Sequence, residues 1–230
     1  MNYFQTDSIS LSNPNEEEIT SQYNKGFVLT RKDKGDFIQT RSLRIDLSQF
    51  VPSSENRRIL NKNIDLQIEF HTLPLSDYTW EIHNLGKTFY TERFGDGTMS
   101  ASKIKEMFTD SGKSNMNAVF VYRYKNSETD QPIGEGYALC YYNQYIIHYA
   151  YPFYNLKSAK ENNLGMAMML KAILYAKENG QKYIYLGSIV EKKSLYKLQF
   201  SGLEWFNTET KLWENDIEKL KSLVNSSATD

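Results

Sequence analysis

The stretch that decides the fold is "YIIHYAYPFYNLKSAKENNLGMAMMLKAILYAKENGQKYIYLG", residues 145–187. It starts as a β-branched and aromatic run, which favours a strand. Apolar residues then recur at helical spacing, at Met166, Met169, Leu170 and Ile173. Asn179-Gly180 ends the predicted helix because glycine readily adopts the left-handed conformation that follows helices. With the short buried run at 182–187, the pattern predicts strand, loop, helix and strand.

Two more strand-like runs precede this stretch, at 118–124 and 135–142, and Asn143-Gln144 is a plausible tight turn after them. Three consecutive strands, a loop, a long helix and a further strand resemble the acetyltransferase-type (GNAT) fold. In that fold, the strands before and after the central helix splay apart and leave a slot for an acyl donor. The element order predicts an α/β (α+β) protein with a GNAT-like acyltransferase fold, in which helices flank a mixed, mostly antiparallel sheet.

Outward from this core, period-two alternation predicts strands over 43–47 and 64–70, with a short helix capped by Ser53 or Ser54 between them. Two more helices are expected to begin near 76 and 100, and an amphipathic helix near the end of the chain. Residues 1–23 are polar and are expected to be a flexible segment. With no internal repeat, residues 24–230 are predicted to form one GNAT-like transferase domain.

Composition limits the possible functions. The chain has 230 residues, of which 40% are hydrophobic, and no apolar run approaches the roughly 20 residues of a spanning helix. We therefore expect a cytoplasmic protein without a membrane partner. The formal net charge of −1 means that any contact with nucleic acid must come from a local patch. Cys140 is the single cysteine, which excludes an internal disulfide and any cysteine-based metal site, and we expect it to be buried and inert.

Two segments suggest binding chemistry. Gly165, near the predicted helix start, would let the backbone approach a phosphate; the alternative is an ordinary helix start that needs a small residue for packing. The turn "QFVPSSENRRILNKN", residues 49–63, gathers Arg57 and Arg58 just after the strand that carries Arg44. An arginine fork suits carboxylate and phosphate groups. The alternative is a solvated surface with a few weak ion pairs.

Further motifs point to one family. "FVPSSENRRILNKN" resembles the F-x-P-S-x-x-Q-R-R-x-x-x-x-N signature of the aminoacyl-tRNA–protein transferases, the arginyl and leucyl transferases that tag acidic N-termini for degradation. In chain order, "NKGFVLTRKDKGDFI", "YTERFGDGTM", "YIIHYAYPFY" and "YIYLGSIVEKKSLYKLQFSGLEWF" resemble other segments of the family. The likeness covers roughly residues 24–206.

The chain also departs from the family pattern. The family's N-terminal region carries four cysteines that hold a metal or iron–sulfur centre. Two of these positions correspond to Phe37 and Thr40, and the earlier pair has no counterpart. Tyr151-Pro152 replaces the family's Asp-Pro. The resemblance thus implies a shortened, divergent member without the cysteine cluster or a metal cofactor, in which residues 24–75 are a reduced remnant of the N-terminal region.

The resemblance implies that an N-terminal amine attacks the ester of an aminoacyl-tRNA. Tyr151 would orient the amine or donate to the leaving ribose oxygen, and His148 is a second catalytic candidate unless it is a hydrogen-bonded structural histidine. Arg44, Arg57 and Arg58 would contact the acceptor's acidic side chain or the terminal phosphates of the tRNA. The remaining substrate-binding candidates are Gly165 at the helix start, Tyr185 and Gly187 along the slot, and Tyr196 and Lys197 closing it.

Three functions stay open from sequence. The first is transfer of an amino acid of the Arg or Leu class from aminoacyl-tRNA to an acceptor protein or peptide with N-terminal Asp or Glu, with no cofactor. The second is an acyl-CoA-dependent N-acyltransferase of the GNAT class, which would use acetyl-CoA. The third is a non-catalytic binder of acidic N-termini.

Overall fold

The computed structural model of the chain describes residues 5–125, 135–157, 162–190 and 192–226. Within these ranges the chain divides into two compact units. Of the described residues, the first unit contains 54–125, 135–142, 149–157 and 162–175. The second contains 5–53, 143–148, 176–190 and 192–226. The helix that carries Gly165 and the strand that carries His148 each contribute residues to both units. The predicted single domain over 24–230 stays a prediction.

Helices and strands alternate along most of the chain. The strands are β1 (Asp7–Ser10), β2 (Phe27–Leu29), β3 (Asp36–Gln39), β4 (Ser42–Asp46), β5 (Leu66–Thr72), β6 (Ala118–Tyr124), β7 (Gly136–Tyr142), β8 (Ile146–Tyr154), β9 (Tyr183–Ser188), β10 (Leu203–Asn207) and β11 (Leu212–Glu214). The helices are α1 (Glu16–Asn24), α2 (Ser54–Lys62), α3 (Trp80–Phe94), α4 (Ala101–Thr109), α5 (Leu164–Glu178) and α6 (Ile217–Ser226), with a 3-10 helix at Lys192–Gln199.

The first unit is a sheet in the order β5-β6-β7-β8 with helices on both faces. Alternation along β6 sends Phe120 and Tyr122 to the face covered by α5, where Phe120 meets Tyr175 and the Tyr122 hydroxyl donates to the carbonyl of Met168 at 2.9 Å. On the opposite face, Phe108 of α4 packs against aromatic rings of β7 and β8. Burial of both faces explains why β6 and β7 read as nearly continuous apolar runs.

The second unit combines a three-stranded sheet, β1-β3-β2, with the strand order β11-β10-β4-β9-β8. Strand β4 pairs antiparallel with β10 on one side and with β9 on the other. All its residues except the last are buried, so it is a central strand and not the half-buried strand that its alternating sequence predicts. Gly26, at φ = 77°, lies so close to Phe206 that a Cβ atom would stand 2.2 Å from the ring.

The connection from β8 through α5 to β9 returns the chain in parallel. β8 and β9 pair from Ile146–Tyr183 to His148–Tyr185, and that ladder ends there although β9 continues to Ser188. The other strand pairs with a recorded register are antiparallel. The predicted fold class, a mixed and mostly antiparallel α/β arrangement flanked by helices, is confirmed. The strand and helix order is that of a GNAT-like fold.

The N-terminal segment differs from the expectation. Residues 7–10 form β1 and residues 16–24 form α1, within the range predicted to be flexible. Asn15 caps α1, since its side chain accepts from the Glu18 amide and the Glu18 carboxylate accepts from the Asn15 amide. Ile19 and Tyr23, one helical turn apart, are buried. Order here comes from that buried face and the capping box.

None of the helices in the described ranges is long and apolar enough to cross a membrane.

Candidate functional site

Lys197 and Gly187 meet at the end of β9. The Lys197 ammonium donates to the carbonyl oxygens of Leu186 at 2.8 Å and Ser188 at 3.2 Å, the residues on either side of Gly187. Gly187 has φ = 74°, and a Cβ atom there would stand 3.9 Å from Nζ. The carbonyl groups on either side of this turn thus hold the ammonium. Because Gly187 has no side chain, no Cβ atom stands against Nζ on that side. The third N–H of Lys197 has no acceptor among the described residues.

His148, on β8, is buried and hydrogen-bonded through one ring nitrogen. Its Nδ1 lies 2.7 Å from the hydroxyl of Tyr23, whose ring also packs against it. Nε2 has no partner among the described residues and is not completely enclosed, although the residue as a whole is only 4% exposed. His148 pairs in register with Tyr185. The ring therefore has one anchored nitrogen and one available nitrogen.

Burial lowers the pKa values of both His148 and Lys197, and the Lys197 charge adds to the effect on His148. Burial lowers the pKa of His148 to about 3, and the charge of Lys197 acts in the same direction. Burial also lowers the pKa of Lys197 to about 8. At neutral pH the pair is therefore a neutral imidazole beside an ammonium that titrates near physiological pH. Such an ammonium can stabilise a developing oxyanion or give up a proton.

Arg44 and Tyr185 lie in the same unit but are occupied by internal contacts. The Arg44 Nε donates to Glu204 at 2.6 Å, and its guanidinium carbon lies 3.9 Å from the Tyr183 ring centre and 4.0 Å from that of Trp213. Its Nη1 contacts the Tyr185 hydroxyl at 3.5 Å. Burial raises the pKa of Tyr185 to about 12, so that hydroxyl stays neutral. Their roles in substrate binding stay predictions.

Tyr196 and Tyr151 differ in setting. Tyr196, next to Lys197 in the 3-10 helix, belongs to the second unit and is 48% exposed. Tyr151 belongs to the first unit and is partly exposed on β8. Its φ of 41° is uncommon for a residue with a bulky side chain. Strain of this kind is found at functional sites, but the catalytic role of Tyr151 stays a prediction.

The remaining predicted site residues belong to the first unit. At Gly165, on the first turn of α5, a Cβ atom would stand 2.6 Å from the Tyr154 hydroxyl, so close packing requires glycine there. Arg57 and Arg58 are exposed on α2, and Arg58 holds Glu55 through two bonds of 2.7 Å. That pair is on the surface and can open at little cost. Binding of a phosphate or a carboxylate by these residues stays a prediction.

Two residues beside His148 and β9 were not predicted from the sequence. Tyr23 lies in the segment expected to be flexible, although the N-x-x-E pattern at Asn15–Glu18 before Ile19 could have indicated a helix start. Ser42 pairs in register with Ser188, and its buried hydroxyl has no partner within the described part of the chain. No local pattern marks a lone serine at a strand start.

The residues at the family's cysteine positions do not fit a cysteine-bound metal or iron–sulfur centre. Phe37 and Thr40, at two of the cysteine positions, are each 1% exposed in the core. Cys140 is buried on β7, and burial raises the pKa of its thiol above the ordinary range. Among the described residues, no group of three or more His, Cys, Asp or Glu side chains could hold a metal ion. No reaction step is assigned to a metal.

Sequence relatives carry one name. No family model matches the chain. The aspartate/glutamate leucyltransferase of Methylobacterium nodulans is 30% identical over 173 residues, which are 71% of this chain and 67% of the relative. The protein of the same name from Dinoroseobacter shibae is 30% identical over 186 residues, 77% of this chain. This chain spans 64% of that relative's length.

A weaker likeness extends to a solved structure of FemX, at 12% identity and a TM-score of 0.49, over 90% of this chain and 70% of that one. The fold assignment does not depend on it, since it follows from the strand order and register described above. The identity to the Methylobacterium protein over two thirds of its length agrees with the ordered motifs. The chain belongs to the aminoacyl-tRNA–protein transferase family.

Proposed function

We propose that the chain transfers a leucyl group from leucyl-tRNA to the N-terminal amine of a protein or peptide that begins with Asp or Glu. Family membership carries this proposal, since the relatives are named aspartate/glutamate leucyltransferases. Leucine is chosen over arginine for the same reason. Charged tRNA makes the cytoplasm the expected location, and no cofactor takes part.

Lys197 is the residue best placed to assist the chemistry. Attack of a neutral amine on the ester forms the new C–N bond and turns the carbonyl oxygen into an oxyanion. The third N–H of Lys197, which is not used in the two bonds to the backbone, would donate to that oxyanion, as preorganised donors do in acyl transfer. As the C–O bond breaks, Lys197 gives its proton to the leaving ribose oxygen. The proton that the new amide nitrogen sheds then restores the ammonium, so atoms and charges balance.

The acceptor amine does not require a strong base. An α-amino group titrates near 7.7–8.0, so roughly a tenth of it is already neutral at pH 7. Positioning then supplies much of the rate, because holding two reactants in place replaces a bimolecular encounter. Because no strong base is required, the chain can be active without the family's Asp before Pro152. Tyr151, which stands at that position, is proposed to orient the amine.

Acceptor recognition is assigned to the basic residues of α2. Arg57 and Arg58 are exposed and lie one after the other, and an arginine fork binds a carboxylate through two parallel bonds. The exposed Arg58–Glu55 pair would open and be replaced by the acceptor's carboxylate. Replacing both arginines with alanine should raise KM for peptides that begin with Asp, with a smaller effect on a peptide that begins with Ala.

Radiolabelled transfer tests the proposal. The purified full chain is incubated with charged leucyl-tRNA or arginyl-tRNA and peptides that differ only in their first residue. We expect label from leucyl-tRNA on the peptides beginning with Asp and Glu, and loss of most of it in Lys197→Met. Absence of transfer from either tRNA, or turnover of acetyl-CoA on the same peptides, would overturn the proposal. The exposed Lys193→Met serves as the matched control.

A further inference from the structure

Tyr23 reaches His148 from the last turn of α1. The Tyr23 side chain is fully buried, and its ring packs edge-on against those of Phe37, His148 and Tyr185. Three ring contacts leave the phenol little freedom to rotate. The hydroxyl is therefore held 2.7 Å from Nδ1 of His148 as a fixed part of the core.

Hydrogen bonds at the Tyr23 hydroxyl bear on which ring nitrogen of His148, Nδ1 or Nε2, carries the hydrogen of the neutral imidazole. The backbone N–H of Leu29 donates to the phenol oxygen at 3.4 Å. A phenol oxygen that accepts from Leu29 keeps its own hydrogen for donation, and donation to Nδ1 at 2.7 Å requires that nitrogen to be unprotonated. A neutral imidazole with an unprotonated Nδ1 carries its hydrogen on Nε2. The imidazole is neutral at physiological pH because burial and the charge of Lys197 lower its pKa to about 3.

We propose that Tyr23 is a positioning residue that fixes His148 in the Nε2–H form, so that Nε2–H donates a hydrogen bond to an oxygen of the aminoacyl ester. This inference rests on the proposed function. It assigns His148 the role of a neutral donor beside the Lys197 ammonium, in place of the proton carrier suggested by the sequence. No proton leaves His148 in this role, since the ribose oxygen receives its proton from Lys197.

The geometry favours a donor over a base. A base would need an unprotonated Nε2 and hence a hydrogen on Nδ1. The phenol oxygen would then accept from both Nδ1 and the Leu29 amide, and its own hydrogen would have to go to an acceptor other than His148. Hydrogen-bond partners of this kind hold a catalytic histidine in one tautomer and one orientation. The arrangement also links α1 to the proposed chemistry through the Tyr23–His148 hydrogen bond.

Nitrogen NMR of the full chain labelled at histidine tests the tautomer independently of activity. The chain has three histidines, so replacing His71 or His83 assigns the signals. Wild type should show His148 as a single Nε2–H form from pH 6 to 8. In Tyr23→Phe, which keeps the ring, Nδ1 loses its donor, and the signals should become those of a mixture. kcat should fall roughly tenfold with KM for charged tRNA nearly unchanged.

Tyr122→Phe is the matched control, because Tyr122 is equally buried and its hydroxyl also makes a buried bond, to the carbonyl of Met168. It should lose comparable stability in thermal unfolding but keep the His148 signals and kcat. A second comparison separates donor from base. His148→Gln retains an N–H donor and should keep more activity than His148→Ala, which should lose roughly 100-fold.

Several results would overturn the inference. These are an Nδ1–H form in wild type, an unchanged tautomer or kcat in Tyr23→Phe, or equal losses in His148→Gln and His148→Ala. If wild type transfers leucine but one of these results appears, only the role of Tyr23 falls. If wild type shows the expected tautomer but transfers nothing from charged tRNA, the proposed function is wrong. The proposed hydrogen bond from His148 to the ester is then wrong as well, although the role of Tyr23 in fixing the tautomer stands.

Discussion

At the scale of single residues, Lys197 is a buried ammonium held by the backbone, and its pKa is lower than that of a surface lysine. Two carbonyls around Gly187 hold the ammonium, and burial lowers its pKa to about 8. A cation with a lowered pKa loses its proton as the pH rises through that value. An ordinary surface lysine would keep its charge to about pH 10. The site therefore changes charge within the range where the acceptor amine also titrates.

The pH dependence of leucyl transfer should accordingly be bell-shaped, with a maximum near pH 8. On the acid side, the rate rises as the acceptor amine loses its proton near 7.7–8.0. On the alkaline side, it falls as Lys197 loses the proton that it must donate. Initial rates between pH 6 and 10 check this. In Lys197→Arg the alkaline limb should disappear because arginine stays charged; an unchanged limb would assign that titration to another group.

His148 gives a prediction about stability that does not depend on catalysis. Its pKa is about 3 in the folded chain, against 6.5 for an unperturbed histidine. Between these values the unfolded chain binds a proton that the folded chain does not, so the free energy of unfolding falls as the pH drops below 6.5. The loss from this residue should reach about 2 kcal/mol at pH 5.

Urea unfolding at pH 7 and pH 5 measures this difference. His148→Gln should have a shallower loss of stability between the two pH values than wild type, whatever its stability at pH 7. His71→Gln is the control, since the His71 side chain is 37% exposed and its Nε2 contacts Glu69 at the surface. A pH dependence in His148→Gln equal to that of wild type would show that His148 is protonated in the folded chain.

At the scale of elements, β4 holds a charged residue in the middle of a buried strand. Arg44 is 7% exposed and is compensated by Glu204 on the neighbouring β10 and by the nearby rings of Tyr183 and Trp213. A buried charge needs such compensation, because desolvation is costly. The contacts resemble those of a structural ion pair. The alternation of Arg44 with Leu43 and Ile45 made the strand predictable but could not show that both faces are covered.

Removing one partner of this pair should cost more than removing both. Arg44→Met should lower the free energy of unfolding by about 3 kcal/mol, because Glu204 is left without its counter-charge. The double variant Arg44→Met, Glu204→Gln should recover part of that loss. A double-mutant cycle in urea, with the exposed Arg58–Glu55 pair as control, measures the coupling. Additive effects at Arg44 and Glu204 would refute a structural pair and favour the substrate-binding role.

Elements with strong local signals were predictable, and those that depend on distant partners were not. α5 begins at Leu164 and ends before Asn179-Gly180 as its periodicity predicts, and β6 spans the predicted residues 118–124. β10 has five residues and pairs with β4, which is far away in sequence. β11 has only three residues, too few for a period-two pattern to reveal it. α3 begins at Trp80, later than the expected helix start near residue 76.

At the scale of the whole molecule, the candidate site was predictable only as a set of residue types. The Tyr196–Lys197 motif and the strand ending at Gly187 could be placed near one another from family resemblance, and the Lys197 contacts around Gly187 agree with that. The hydrogen bond between Tyr23 and His148 joins positions 125 residues apart. Such a contact depends on tertiary packing, which periodicity and spacing do not encode.

Residues 24–75 give the last prediction, which concerns metal content. In the family the cysteines of this region hold a metal or iron–sulfur centre, whereas here Phe37 packs against Tyr23 in an apolar core. Cys140 cannot substitute, since it is buried and its thiol resists ionisation. We therefore expect the purified full chain to contain less than about 0.1 iron or zinc per molecule, because too few soft ligands are present.

Elemental analysis by mass spectrometry, with unfolding and transfer measured before and after a chelator, checks this expectation. The melting temperature and the rate should both be unchanged, because aromatic packing and not a metal stabilises this region. Phe37→Ala should instead lower the free energy of unfolding by about 3–5 kcal/mol, the usual cost of emptying a buried phenylalanine site. One tightly bound metal per chain, with a melting temperature that falls on chelation, would contradict the prediction and point to ligands other than cysteine.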